Sequence, residues 1–412
     1  MTGSWRGGPV FLLVTLTLVN TINWADRQVV PILVPSIKSE LGLSDTEIGI
    51  ISGVAFSLVY AVSAFVFGYL ADRGSRRGVV LFGLVCWSLA TVASGFARDF
   101  GELFAARFFT GLGEASLYPC AMSLITDAFT AEHRGRAIGL FGASTALGGG
   151  LGIGLGGALV AAIGWRNVFF AYGSAGLLVL PLLLVLREPE RGTPKKDIVH
   201  EPARRIVGEA LGDVRLLAIW ATGTLLIAAG TGWITWAPSY FERDLHFAVS
   251  EIGIVFGIAQ LFGGVAGSLL GGYLGDIRRR KRFAAQLSVS AVTAFVMVPL
   301  VGVALIDNVP NSILLTAAVL GPFAIFASFP NLQTMVAEIV PARRLGLTFA
   351  VHVLFLSGIG AALGPFLVGW ISDSSGSLRL ALLVPLLFAF VSGFGAIAAE
   401  RIIRARTPVP AK

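Results

Sequence analysis

EIGIISGVAFSLVYAVSAFVFGYLADRGSRR, residues 47–77, and EIGIVFGIAQLFGGVAGSLLGGYLGDIRRRK, residues 251–281, are two versions of one unit. Each opens on EIGI, continues without a charge for long enough to cross a bilayer, and closes on GYLxD followed by arginines. The offset is 204 throughout, so Asp72 falls on Asp276 and Arg76 on Arg280. A weaker echo at 211 sets Pro119 and Asp127 against Pro330 and Glu338. Another sets Arg136, Leu155 and Gly156 against Arg344, Leu363 and Gly364. Parallel duplication of apolar helical units around a midplane cavity is a transporter arrangement.

The rest of the chain agrees. Of 412 residues, 13% are charged and 55% hydrophobic, and mean hydropathy is +0.81. Soluble proteins carry about 25% charge, which excludes a single water-soluble globule. So apolar a chain has surface to bury, which excludes disorder. Charge-free stretches run 7–25, 48–71, 78–97, 137–165, 167–186, 216–241, 252–275, 283–306, 308–337, 345–372 and 380–399. Most reach the ~20 residues that span a hydrocarbon core. A twelfth, about 103–127, is interrupted only by Arg107 and Glu114. The first stretch passes residue 25 without a small-residue cleavage site, so it is expected to be a span and not a secretory leader. Two cysteines, Cys86 and Cys120, give no basis for a disulfide framework or a cysteine-rich metal site. The expected fold is an all-α membrane protein with twelve transmembrane helices in two parallel six-helix halves. The expected boundaries are 1–187, a central polar loop 188–213, and 214–412.

The basic residues set the topology. If the N-terminus is cytoplasmic, 24 of the 31 Lys and Arg lie in cytoplasmic segments, including Arg6, Lys195, Lys196, Arg343 and Lys412. Five lie outside: Lys38, Arg98, Arg166, Arg243 and Arg379. This bias puts both termini inside. The net charge of +7 is therefore assigned to topology, and no nucleic-acid partner is expected.

Only Asp26, Arg27, Arg107 and Glu114 lie deep in spans. Each would cost about 3 kcal/mol or more facing lipid, so each must pair or line a wet cavity. Asn20, Asn23 and Arg27 share a face of the first span, with Asp26 flanking it. Arg107, Gly111, Glu114 and Tyr118 share a face of the fourth, and Gly111 leaves room between two charges about 10 Å apart. One reading is a structural ion cluster; the other is a substrate and proton site, the default for intramembrane charges. Asn331 is a further polar cavity candidate, with Gln333 beside it, and His352 is expected to be a packed, hydrogen-bonded histidine of the eleventh span in preference to a proton relay. Trp233, Trp236 and Tyr240, near the outer end of the seventh span, are expected to form an interfacial aromatic belt, the alternative being that they line the pocket. No nucleophile–base pair, phosphate loop or metal-ligand spacing stands out, so neither an enzyme nor a cofactor is expected.

The segment GYLADRGSRR (68–77) resembles the cytoplasmic loop signature of the major facilitator superfamily. The glycines at 139, 148, 152, 156 and 157 match the spacing of its antiporter signature, with Ile153 where that signature has proline. NWADR (23–27), LFAARFFTGLGEASLYP (103–119) and REPERG (187–192) resemble the Spinster branch, in a bacterial member. The resemblance implies alternating access and proton-linked movement of an amphiphile of the lysophospholipid or sphingoid phosphate type. Asp26, Arg27, Arg107 and Glu114 would then form the coupling and headgroup network. Gly68, Asp72, Arg73, Arg76, Arg77, Asp127, Arg136, Asp276 and Arg280 would form the cytoplasmic gate. The alternatives are a proton-coupled carrier of drugs or small organic anions, and a lipid scramblase without proton coupling. The expected setting is the bacterial inner membrane, as a monomer whose partners are the substrate, protons and the lipid bilayer.

Overall fold

The computed structural model describes residues 8–191, 202–341 and 344–406. Residues 192–201 of the expected central loop, with Lys195, Lys196 and His200, lie outside the described residues, as do Arg6, Arg343 and Lys412. The described residues form helices joined by short loops, with no strand among them.

Among the described residues, ten helices are long and apolar enough to cross a membrane. The twelve expected spans are reached because one of these is two spans and another span is broken. Ala131–Val185 turns at Gly164, whose φ of 77° is open to glycine and strained for other residues, and so divides into α5 and α6. The fourth span is the pair Phe100–Glu114 and Leu117–Ala128, together α4, each piece too short to span alone. The others are α1 (Pro9–Leu41), α2 (Asp45–Arg73), α3 (Arg76–Phe96), α7 (Val214–Arg243) and α8 (Val249–Lys281). They continue with α9 (Leu287–Leu305), α10 (Asn311–Ile339), α11 (Leu345–Ser375) and α12 (Leu378–Arg406). A short helix, Ala203–Gly212, precedes α7.

Two helices depart from α geometry where they face each other. Ile50–Leu58 in α2 and Leu354–Gly360 in α11 are π-helical, a form that favours functional positions. Between the first six and last six helices, α2 packs on α11 and α5 on α8. A Cβ on Gly53 would lie 2.6 Å from the carbonyl oxygen of Ala362, and one on Gly157 2.8 Å from the Cα of Gly253. Both contacts lie toward the end of the bundle that holds residues 42–44 and 244–248. Toward the opposite end, which holds Gly8 and Arg406, a Cβ on Gly68, Gly135, Gly139, Gly142 or Gly346 would meet nothing within 4 Å. The two sets of helices are thus closed at one end and splayed at the other.

The largest apolar cluster fills the closed end and unites both sets, from Val29, Leu33 and Ile48 to Phe256 and Val368. Trp233, Trp236 and Tyr240 belong to it, which corrects the expectation of an interfacial belt. Trp236 Nε1 donates to the Pro365 carbonyl at 2.9 Å, and Tyr240 Oη to that of Ala304 at 3.1 Å. An aromatic ring with a polar tip suits a membrane interface and an internal helix contact equally, so position near a span end did not separate them.

Candidate functional site

The four deep charges converge. Arg27 on α1 donates from Nη2 to Glu114 Oε2 on α4 at 2.8 Å, and from Nε to the same oxygen at 3.1 Å. Asp26 on α1 lies against Arg107 on α4, with Oδ1 3.9 Å from Nη1, and accepts a hydrogen bond from the Thr91 hydroxyl on α3. The pairing is therefore crossed between helices. Arg107 and Glu114, a turn-pair on one face of α4, do not bond each other directly. Asp26, Arg107 and Glu114 are buried, while the Arg27 side chain keeps 18% exposure. That remaining exposure makes Arg27 the accessible member of the network.

Aromatic rings enclose the cations. The Arg27 guanidinium carbon lies 4.6 Å from the Trp24 ring centroid, 4.8 Å from Phe56 and 4.4 Å from Tyr60. Arg107 shares the Phe56 ring at 5.1 Å. Desolvated cation–π contacts of this kind are worth about 2 kcal/mol. Gly111 explains how Phe56 gets there. Its absent Cβ would sit 2.6 Å from the Phe56 carbonyl oxygen, so α4 presses directly on the π-helical stretch of α2. The room expected between Arg107 and Glu114 is occupied by the α2 backbone.

Several polar atoms here make no hydrogen bond among the described residues: Asn23 Nδ2, Asp26 Oδ1, Arg107 Nε and Nη1, and Glu114 Oε1. Unbonded buried polar atoms cost about 1–3 kcal/mol each, so donors and acceptors collected in one place suit a polar occupant. Asn20 is turned elsewhere. Its amide donates to Ser144 at 2.7 Å, Thr145 at 3.3 Å and the Phe141 carbonyl at 3.4 Å, tying α1 to α5. Asn331 likewise ties α10 to α8 through the Gly271 carbonyl at 3.1 Å. Tyr118 is exposed and tilts against Phe141. His352 is packed and buried, but among the described residues neither ring nitrogen is hydrogen-bonded, which corrects the expected hydrogen bond.

At the splayed end the arginine-rich loops bond within their own half. Arg76, 1% exposed, pairs with Asp127, with Glu188 Oε1 at 2.9 Å from Nε, and with the Pro189 carbonyl at 2.8 Å. Arg77 donates to the Leu184 carbonyl at 2.7 Å, and Arg73 stacks 4.1 Å from the Tyr69 centroid. Asp72 contributes its backbone carbonyl, which accepts from Arg191 together with those of Ala71 and Gly74. REPERG is thus a strap whose Glu188 and Arg191 fasten the GYLADRGSRR loop. Burial pushes the Glu188 carboxyl up, but the Arg76 guanidinium, the Ser75 hydroxyl and two backbone N–H groups outweigh it and hold it below the ordinary carboxylate range. In the second half Arg279 bonds Glu338 at 2.8 Å. Asp276, Arg280 and Arg136 are exposed. The repeat pointed to Arg280, and the ion pair falls one residue earlier.

Sequence reasoning missed the closed end. Asp45, at the start of α2, pairs with Lys38 of α1 and with Arg243 of α7 at 3.4 Å, and accepts from Ser372 of α11 at 2.6 Å. Asp373 accepts from the backbone N–H of Asp45 at 3.0 Å and of Thr46 at 2.7 Å, so α11 caps the N-terminus of α2. This latch joins the two sets of helices. Of its residues, the sequence reading takes Lys38 and Arg243 only as outer basic charges and singles out neither Asp45 nor Asp373.

The profile of the Major Facilitator Superfamily matches residues 16–355. The chain is 30% identical over 410 residues to "Protein spinster homolog 1" of Mus musculus, covering 90% of this chain and 75% of that one. It is 28% identical over 368 residues to an "MFS-type efflux pump" of Mycolicibacterium smegmatis, covering 87% of this chain and 83% of that one. Its fold matches the crystal structure of a bacterial homolog of the human lysosomal transporter Spinster, described as inward-facing and unoccupied. That match has a TM-score of 0.88 at 24% identity and covers 99% of this chain and all of the other. The chain is an integral, multi-pass membrane protein that belongs to the Major Facilitator Superfamily and, within it, to the Spinster family of transporters.

Proposed function

We propose that the protein is a secondary active transporter, coupled to protons, that moves an amphiphilic lipid-like substrate through Asp26, Arg27, Arg107 and Glu114. The observation that carries this reading is the crossed ion-pair network with its unbonded polar atoms, on one side of a chain whose second half has no deep charge. Arg27, enclosed by rings yet accessible, suits an anionic headgroup, and the apolar second half suits an acyl tail. A proton on Glu114 would release Arg27 to the headgroup, which links the two events. With both termini cytoplasmic, the splayed end faces the cytoplasm and the latch closes the outer side. The two six-helix units, 1–187 and 214–412, would rock about the central site, with the gate residues re-pairing when the inner end closes. The protein is taken as a monomer of the bacterial inner membrane, and as a carrier, not an enzyme.

A small-molecule efflux reading follows from the name of the mycobacterial relative. Mass spectrometry of lipids retained by the purified protein separates the two. Enrichment of lysophospholipid over bulk lipid, lost in Arg27→Ala, is expected. Binding of a compact organic anion with no lysolipid enrichment would reverse the preference.

A further inference from the structure

Thr91, like Thr224 with the Phe355 carbonyl, sends its hydroxyl to another span, and there it meets a buried carboxylate. Thr21, Thr110, Thr222, Thr231, Thr293, Thr316 and Thr348 each donate to the carbonyl four residues earlier, the local bond that a threonine inside an apolar helix finds first. Thr91 is fully buried in α3, and its hydroxyl instead donates to Asp26 Oδ2 on α1. The Trp87 carbonyl, four residues earlier, is the bond it gives up. Besides Thr91, Asp26 interacts electrostatically with Arg107 and Glu114 of α4, Arg27 of its own helix and Tyr172 of α6. Oδ1 has no hydrogen bond within the protein and Arg107 stands 3.9 Å away, so Thr91 supplies the one direct donor among the described residues.

We propose that Thr91 is a positioning residue for proton coupling, whose hydroxyl holds Asp26 in its charged form and rotates back onto its own helix when Asp26 takes a proton. A hydroxyl that donates favours the carboxylate over the carboxylic acid. Once Asp26 is protonated, its own O–H can donate to Thr91 Oγ1, and the threonine proton turns to the Trp87 carbonyl. The tie between α1 and α3 thereby changes polarity with the protonation state. The proposal rests on the reading of Asp26 as part of the coupling network.

The test uses purified full-length protein in liposomes and follows the carboxylic-acid C=O band of Asp26 by infrared difference spectroscopy, with the band assigned by its loss in Asp26→Asn. Thr91→Val keeps the side-chain shape and removes the donor. Its band midpoint should move about one pH unit to higher pH, the worth of one hydrogen bond to a charged group. Thr91→Ser should restore the wild-type midpoint, which loss of packing alone would not explain. Thr91→Ala carries the same expectation should the valine variant not remain monodisperse. An unchanged midpoint in the donor-less variants, or no Asp26 band titrating between about pH 4 and pH 9, overturns the proposal. Failure of the transport reading is seen separately, as wild-type lysolipid uptake that ignores a pH gradient while the Thr91 shift persists.

Discussion

Asp45→Asn should loosen the closed end without touching the central network. The Asp45 side chain is 5% exposed and accepts from Ser372 and Arg243 across the two sets of helices. Asparagine keeps an acceptor oxygen but loses the charge. The Ser372 bond then falls from charge-assisted to neutral, a loss of about 1 kcal/mol. The Arg243 pair is one-third exposed and contributes about 0.5 kcal/mol once screening is allowed for. The sum of about 1.5 kcal/mol moves the closed-to-open ratio about tenfold, so a closed fraction of about 99% would fall to about 90%. Spin labels at Ser39 and Ser374, exposed on opposite sets of helices, would report this by pulsed dipolar spectroscopy in a background lacking Cys86 and Cys120. A new long-distance population should appear in Asp45→Asn and be larger in the double variant with Asp373→Asn, which also takes the charge and one acceptor oxygen from the cross-half bonds to the start of α2. Distance distributions identical to wild type in both variants would refute the latch.

Two further outcomes follow from local geometry. Gly152→Ala would place a Cβ 2.4 Å from the Ala25 carbonyl oxygen, beside Asp26, and should destabilise by about 2 kcal/mol, whereas Gly139→Ala, with open space, should leave the melting temperature unchanged. Glu188 is held below its ordinary pKa, so its contribution is full above the unfolded value and is lost as pH falls through the folded one. The melting penalty of Glu188→Gln should therefore be present near neutral pH and vanish in acid, and a penalty constant with pH would contradict the strap.

The spans were legible because charge placement alone marks a membrane helix. Asp72 against Asp276 revealed the repeat, and the four deep charges stood out as exceptions. Their pairing was not legible. Helix-face spacing places Arg107 and Glu114 together on α4, but only the three-dimensional crossing of α1 over α4 gives Arg27 to Glu114. Thr91 looks like any threonine in an apolar helix until its hydroxyl is seen to leave its own backbone. Lys38, Asp45, Arg243 and Asp373 sit at span ends, where topology already accounts for a charge, so nothing in the sequence singled out the latch. Glu188 and Arg191 were noticed for their resemblance to the family, and the structure supplies their mechanical task.

The central claim is that protons and substrate meet at the α1–α4 network. Its most direct test is proton flux driven by lysophosphatidylcholine into proteoliposomes that enclose a pH-sensitive dye, with no imposed gradient. Wild-type protein should move protons when lysolipid is added, and Asp26→Asn and Glu114→Gln should abolish that flux while still retaining lysolipid. Lysolipid movement without proton movement in the wild type, or undiminished proton flux in both variants, would contradict the account.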